Sequence, residues 1–97
     1  MGVRRRMGCE YLPEKLLQIR KALELSQPGL LHRMALRDKR IKTLIKQNIS
    51  SYEQGTTEPP LPVLLQYARL AGVCVEVLID DDLELPAQLP AKHPHKP

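Results

Sequence analysis

Leucine limits what this chain can fold into more than any other feature. It provides 17 of the 97 residues, while phenylalanine and tryptophan are absent and the only aromatics are Tyr11, Tyr52 and Tyr67. An interior built from leucine, without β-branched runs or aromatic pairs, favours helices over a β-sandwich. The length fits one domain. A core of that size buries only roughly 60% of the surface that its unfolded chain exposes, which leaves no room for a catalytic domain beside a regulatory one. No stretch approaches the roughly 20 apolar residues of a membrane span, and the first residues lack the apolar region of a signal peptide. A cytoplasmic protein without a membrane partner is expected. Cys9 and Cys74 are too few and too ill-placed for a disulfide scaffold. No Cys-x-x-Cys or Cys/His cluster suggests a metal, so neither metal nor cofactor is expected.

Charge is distributed unevenly. The net charge is +4. Residues through Asn48 carry 12 Lys and Arg against 4 Asp and Glu, and the remainder carries 3 against 7, so the halves stand at +8 and −4. A basic half joined to an acidic half suggests a polyanion partner for the first. A solvated surface with accidental asymmetry is the alternative reading.

Periodicity and punctuation divide the chain into five short helices. Leu12, Leu16, Ile19 and Leu23 share one helical face, and Pro13 suits a helix start, which predicts a helix over 13–24. Ser26 offers an N-cap for a second helix over 27–35, with Leu30, Leu31 and Met34 inward. Residues 36–43 are polar, basic and compatible with either a helix extension or a loop. Thr43 is a possible cap for a third helix over 44–54, with Ile45, Ile49 and Tyr52 on one face and Gly55 as its stop. Pro62 begins a fourth over 62–71, with Leu61, Leu64, Leu65 and Ala68 inward, and Gly72 ends it. A fifth spans 75–80, with Val75, Leu78 and Ile79 inward. Residues 1–11, with Arg4-Arg5-Arg6, read as a flexible basic arm. Residues 86–97 hold four prolines in twelve residues and read as a disordered tail. The domain itself is expected over 12–85.

Several motifs occur in a telling order. Ile19-Arg20-Lys21 precedes Leu25-Ser26-Gln27, and Ile49-Ser50-Ser51-Tyr52-Glu53-Gln54-Gly55 follows. Glu58-Pro59 then leads to Leu64-Leu65 and Ala68, and Ala71-Gly72-Val73-Cys74-Val75 comes last. This series resembles the Cro/repressor-type (XRE family) helix-turn-helix domain. The resemblance implies an all-α fold, a compact five-helix lambda-repressor-like domain. Three departures accompany it. About eight additional residues, RDKRIKTL, separate Leu36 from Ile45. Ile45 occupies a position that usually carries a Ser or Thr cap, and Glu24 stands where glycine is usual.

The resemblance also implies functional positions. Lys46, Gln47 and Ser51 would face base edges in the major groove, where Lys can donate to guanine and Gln can pair with adenine. Gln27 and Asn48 would hold the DNA backbone. Arg37, Lys39, Arg40 and Lys42 in the inserted segment would lie near phosphates. For each, a merely solvated surface is the other reading. Arg4-Arg5-Arg6 would either follow the minor groove or make no contact. Arg20 would pair with Glu53 as a structural bridge. Val75, Val77, Leu78 and Leu83 would form a homodimer interface. His32 reads as a surface histidine, and His93 and His95 suggest at most weak metal binding. Ser50 and Ser51 lack a histidine partner, and no Gly-rich phosphate loop occurs, so no catalytic residue and no enzyme are expected. The expected function is sequence-specific binding of double-stranded DNA by a homodimeric transcriptional repressor. Two alternatives stand beside it. One is the antitoxin of a toxin–antitoxin pair, whose tail binds a toxin. The other is a protein-interaction module that has lost DNA binding.

Overall fold

Proline punctuates three helix starts in the computed structural model, which describes residues 9–90. Helices α1 (Leu12–Ala22), α2 (Gln27–Arg37) and α4 (Leu61–Ala71) each carry one within their first two positions, where the missing N–H has no intrahelical partner to lose. A 3₁₀ turn (Lys39–Ile41) and α3 (Lys46–Gln54) lie between α2 and α4, and α5 (Val75–Ile79) closes the series. The regular structure of the described residues is therefore all helical. The expectations for Arg4-Arg5-Arg6, His93 and His95 lie outside them. Residues 36–43 divide: Leu36 and Arg37 extend α2, and the turn follows. Helix α3 starts at Lys46 rather than 44, with Ile45 and not Thr43 at its cap position.

Three helices end in the same way. Gly55 after α3 and Gly72 after α4 are left-handed, with φ of 80° and 79°. Beyond them the N–H of Thr56 donates to Ser51 O and that of Val73 to Ala68 O. At the end of α1, Leu25 N–H donates to Arg20 O and Glu24 N–H to Lys21 O, the pattern of a Schellman stop. Its left-handed residue is Glu24, with φ of 60°. Glutamate thus adopts a conformation that a glycine would adopt without steric cost, and a left-handed L-residue costs about 1–2 kcal/mol. Glu24→Gly is accordingly expected to be more stable than Glu24→Val by about 2 kcal/mol in urea unfolding. Both variants lose the carboxylate, so the difference isolates the backbone; equal midpoints would refute the strain.

The core forms around α4. Val63, Leu64, Gln66, Tyr67, Ala68, Leu70 and Ala71 are all buried there, which covers most of the helix circumference. Burial pushes the Tyr67 phenol well above its usual pKa, so it stays neutral at ordinary pH. Leu12, Leu16 and Ile19 of α1, Leu30 and Met34 of α2, Ile49 and Tyr52 of α3, and Leu78 of α5 complete it. Three residues expected inward are not. Ile45 is 58% exposed, because the cap residue is extended and lies off the helical face. Leu61 is 78% exposed at the first position of α4, and Ile79 is exposed at the last of α5. Conversely, Ile41 from the polar segment after α2 is 2% exposed and joins the core.

A clasp ties the C-terminal segment to α1. Lys15 is buried, and its Nζ donates to the carbonyls of Val77 (2.7 Å), Asp80 (3.0 Å) and Leu83 (2.8 Å). An ammonium there serves carbonyls at and just beyond the end of α5, of which Asp80 O also accepts the Leu83 N–H at 3.0 Å. In return, the Asp81 carboxylate accepts from the N–H groups of Glu10 (2.9 Å) and Tyr11 (3.1 Å) at the start of α1, which has no cap from its own side chains. Leu89 packs into the core at 3% exposure. The chain from 86 to 89 is therefore not the unpacked tail that its prolines suggested: one leucine supplies enough apolar surface to anchor it.

Candidate nucleic-acid interface

Helix α3 has two unlike faces. Ile49 and Tyr52 are buried against α1 and α2, which fixes the helix from beneath. Lys46 and Gln47 in its first turn are exposed, and Ser50 and Ser51 are half-exposed. The cap is incomplete in sequence and only half made in structure. Isoleucine has no acceptor for the first-turn amides, yet the Oδ1 of Asn48 accepts the Ile45 N–H at 2.8 Å, which is half of a capping box. Asn48, expected on phosphate, thus spends its oxygen on the helix itself. No acidic residue stands in the first turn of α3 to balance the positive end of its dipole.

Three helices meet at one carboxylate. Arg20 of α1 donates from Nε to Glu53 Oε2 at 2.6 Å and from Nη2 to Oε1 at 3.1 Å, and its Nη1 donates to Leu25 O at 3.0 Å. The two-pronged pair raises the Arg20 pKa, chiefly through the hydrogen bond to Glu53. The bridge expected between Arg20 and Glu53 is present. Gln27 of α2 joins it, with Nε2 donating to Glu53 Oε1 at 3.2 Å. Its amide therefore meets Glu53 in this structure, where a DNA phosphate was expected to hold it. The network orients α2 and α3 on α1.

The basic segment between α2 and α3 is a folded turn. Asp38 ends α2 and starts the 3₁₀ turn, accepting the Arg40 N–H at 3.0 Å. The Arg40 guanidinium closes on the same carboxylate, with Nη2 to Oδ2 at 2.7 Å. These bonds hold the Asp38 carboxyl below the usual carboxylate range, the guanidinium first and the backbone N–H second. Ile41 pins the turn to the core, while Arg37, Lys39 and Lys42 remain exposed. Of the four cations expected near phosphate, three point to solvent and Arg40 already faces an anion. The signal missed in the sequence was Ile41, one apolar residue in a polar run, placed to anchor the turn.

The residues expected at a dimer interface separate. Leu78 is fully buried within the chain and so is not available to a partner. Val75 and Val77 are half-buried and Leu83 is 41% exposed. The exposed member that sequence spacing placed inward is Ile79. Nearby, Tyr11, Glu14, Asp81, Asp82 and Glu84 line a groove whose acidic walls oppose any nucleic acid. Among the described residues, no group of His, Cys, Asp and Glu is placed to hold a metal ion. Cys9 and Cys74 are unpaired, and no described helix is long and apolar enough to cross a membrane. No family model, curated protein or solved structure matches this chain.

Proposed function

We propose that the chain is a helix-turn-helix protein that reads double-stranded DNA with α3 and regulates transcription as a homodimeric repressor. One observation carries this reading: α3 is anchored by Ile49 and Tyr52 while Lys46 and Gln47 stand exposed at its N-terminal end. A helix that enters the major groove needs that division, a rigid base and free polar side chains at the tip. Exposed Arg37, Lys39 and Lys42, close in sequence to that tip, supply the sequence-independent attraction to phosphate. Ser51, one turn further along, supports a third base contact.

Selection of bound sequences from random duplex DNA tests the reading. A palindromic motif with half-sites about one helical turn apart is the expected result. Lys46→Ala and Gln47→Ala should each weaken the best site by about 1–3 kcal/mol and relax preference at one base pair. Unchanged affinity and an unchanged motif in both variants would remove α3 as the reading element. The dimer contact is proposed through Val77, Ile79 and Leu83, without Leu78. Ile79→Asp and Leu83→Asp should shift micromolar protein from dimer toward monomer in sedimentation. A wild type that sediments as a monomer both free and on DNA would end that part of the proposal.

A further inference from the structure

Two local rules are broken in one turn of the chain. The cap position of a helix favours Ser, Thr, Asp or Asn, whose oxygens accept a first-turn N–H, and Ile45 has no such atom. A large apolar side chain that does not cap belongs in the core, yet Ile45 is 58% exposed. Beside it, Lys46 places a positive charge at the positive end of the α3 dipole, without an ion-pair partner among the described residues. Each choice lowers the stability of the isolated protein. Asn48 compensates in part by accepting the Ile45 N–H, but the first-turn amides keep no side-chain acceptor, and positions that break local rules without full compensation are where function is expected.

Ile45 is also held in place. Its backbone is extended at φ −123° and ψ 171°, and its N–H is bonded to Asn48. Its backbone therefore stands at a fixed position next to Lys46 and Gln47, the polar tip of α3, and its side chain is exposed there. The major groove presents one apolar group to such a side chain, the C5 methyl of thymine. We infer that Ile45 is a specificity-determining residue that packs on a thymine methyl. The inference rests on the DNA-reading role proposed for α3. It assigns to that site a requirement for the thymine methyl group itself, which Lys46 and Gln47 do not impose, since they would read hydrogen-bonding edges of guanine and adenine.

The experiment uses the full chain and the duplex recovered by selection. Each thymine is replaced singly by deoxyuridine, which removes the methyl and keeps every hydrogen-bonding group. At one thymine in each half-site the replacement should weaken wild-type binding about fourfold, the effect of uncovering one methyl group. Ile45→Val should keep that sensitivity, and Ile45→Ser should lose it. Because serine caps the helix, Ile45→Ser should also raise Tm by about 4 °C. Loss of methyl sensitivity together with gained stability separates a reading role from a structural one. Equal sensitivity in wild type and Ile45→Ser, or no sensitive thymine, overturns the inference and leaves the DNA-reading role intact. A fall in Tm or an altered sedimentation in Ile45→Ser also overturns it, since the side chain then serves the fold or a protein contact. If the wild type selects no duplex at all, the DNA-reading role itself fails, and the inference with it.

Discussion

Lys15→Met is expected to lower stability by about 2–4 kcal/mol. The methionine keeps the apolar stem and removes the ammonium, so the carbonyls of Val77, Asp80 and Leu83 lose their shared donor. Hydrogen bonds from charged groups contribute about 1.5–3 kcal/mol each, but the three act together and water can reach some of the freed oxygens, which keeps the total well below their sum. For a domain this small the loss is a large fraction of the whole. Lys15→Arg should not rescue it, because a planar guanidinium cannot reproduce three converging bonds from one nitrogen. Urea unfolding measures both variants, and a change under about 0.5 kcal/mol in Lys15→Met would show that the clasp is incidental. The other half of the clasp adds a pH dependence. The Asp81 carboxyl is held below the usual range by the N–H groups of Tyr11 and Glu10. A carboxylate depressed in the folded state stabilises fully above its unfolded pKa, about 4, and its contribution disappears as pH falls through the folded value. Asp81→Asn should therefore narrow the stability difference between pH 6 and pH 3.

The second large effect concerns the basic turn. Replacing Arg37, Lys39 and Lys42 together by glutamine should flatten the slope of log affinity against log salt by about 2–3, since each phosphate contact contributes about 0.9. Near 0.1 M salt the same variant should bind about two orders of magnitude more weakly, on random and selected duplexes alike. Adding Arg40→Gln should contribute less than a full further step, because that guanidinium already rests on Asp38. An unchanged slope in the triple variant would make the turn a solvated connection and place the phosphate contacts elsewhere. A normal step from Arg40 would mean that the Asp38 pair opens on DNA.

Much of the fold was legible because its signals are local. Spacing along α1 placed Leu12, Leu16 and Ile19 on one buried face, and Ser26 caps α2 as its hydroxyl allows, accepting the Gly29 N–H at 3.0 Å. Gly55 and Gly72 end α3 and α4 because only they reach the left-handed region without cost. The misjudged residues sit at helix ends. Ile45, Leu61 and Ile79 continue an apolar pattern past the point where the backbone keeps its period, so their side chains leave the face that the pattern implies. Glu24 closes α1 in a glycine conformation, which no residue-type preference would assign to glutamate.

The sequence by itself thus determined the helical class, all five helices to within two residues at each end, and the exposed polar tip of α3, because hydrogen-bond geometry and side-chain period act within a few residues. Tertiary structure decided the rest. Only packing shows that Lys15 lies under the carbonyls of residues 77, 80 and 83, that Asp81 caps α1, that Gln27 turns to Glu53, and that Ile41 and Leu89 reach the core. These pairings join residues up to 71 positions apart. Their cause is the need of buried polar groups for partners and of small cores for every available apolar side chain, and neither need is expressed in the spacing of neighbours along the chain.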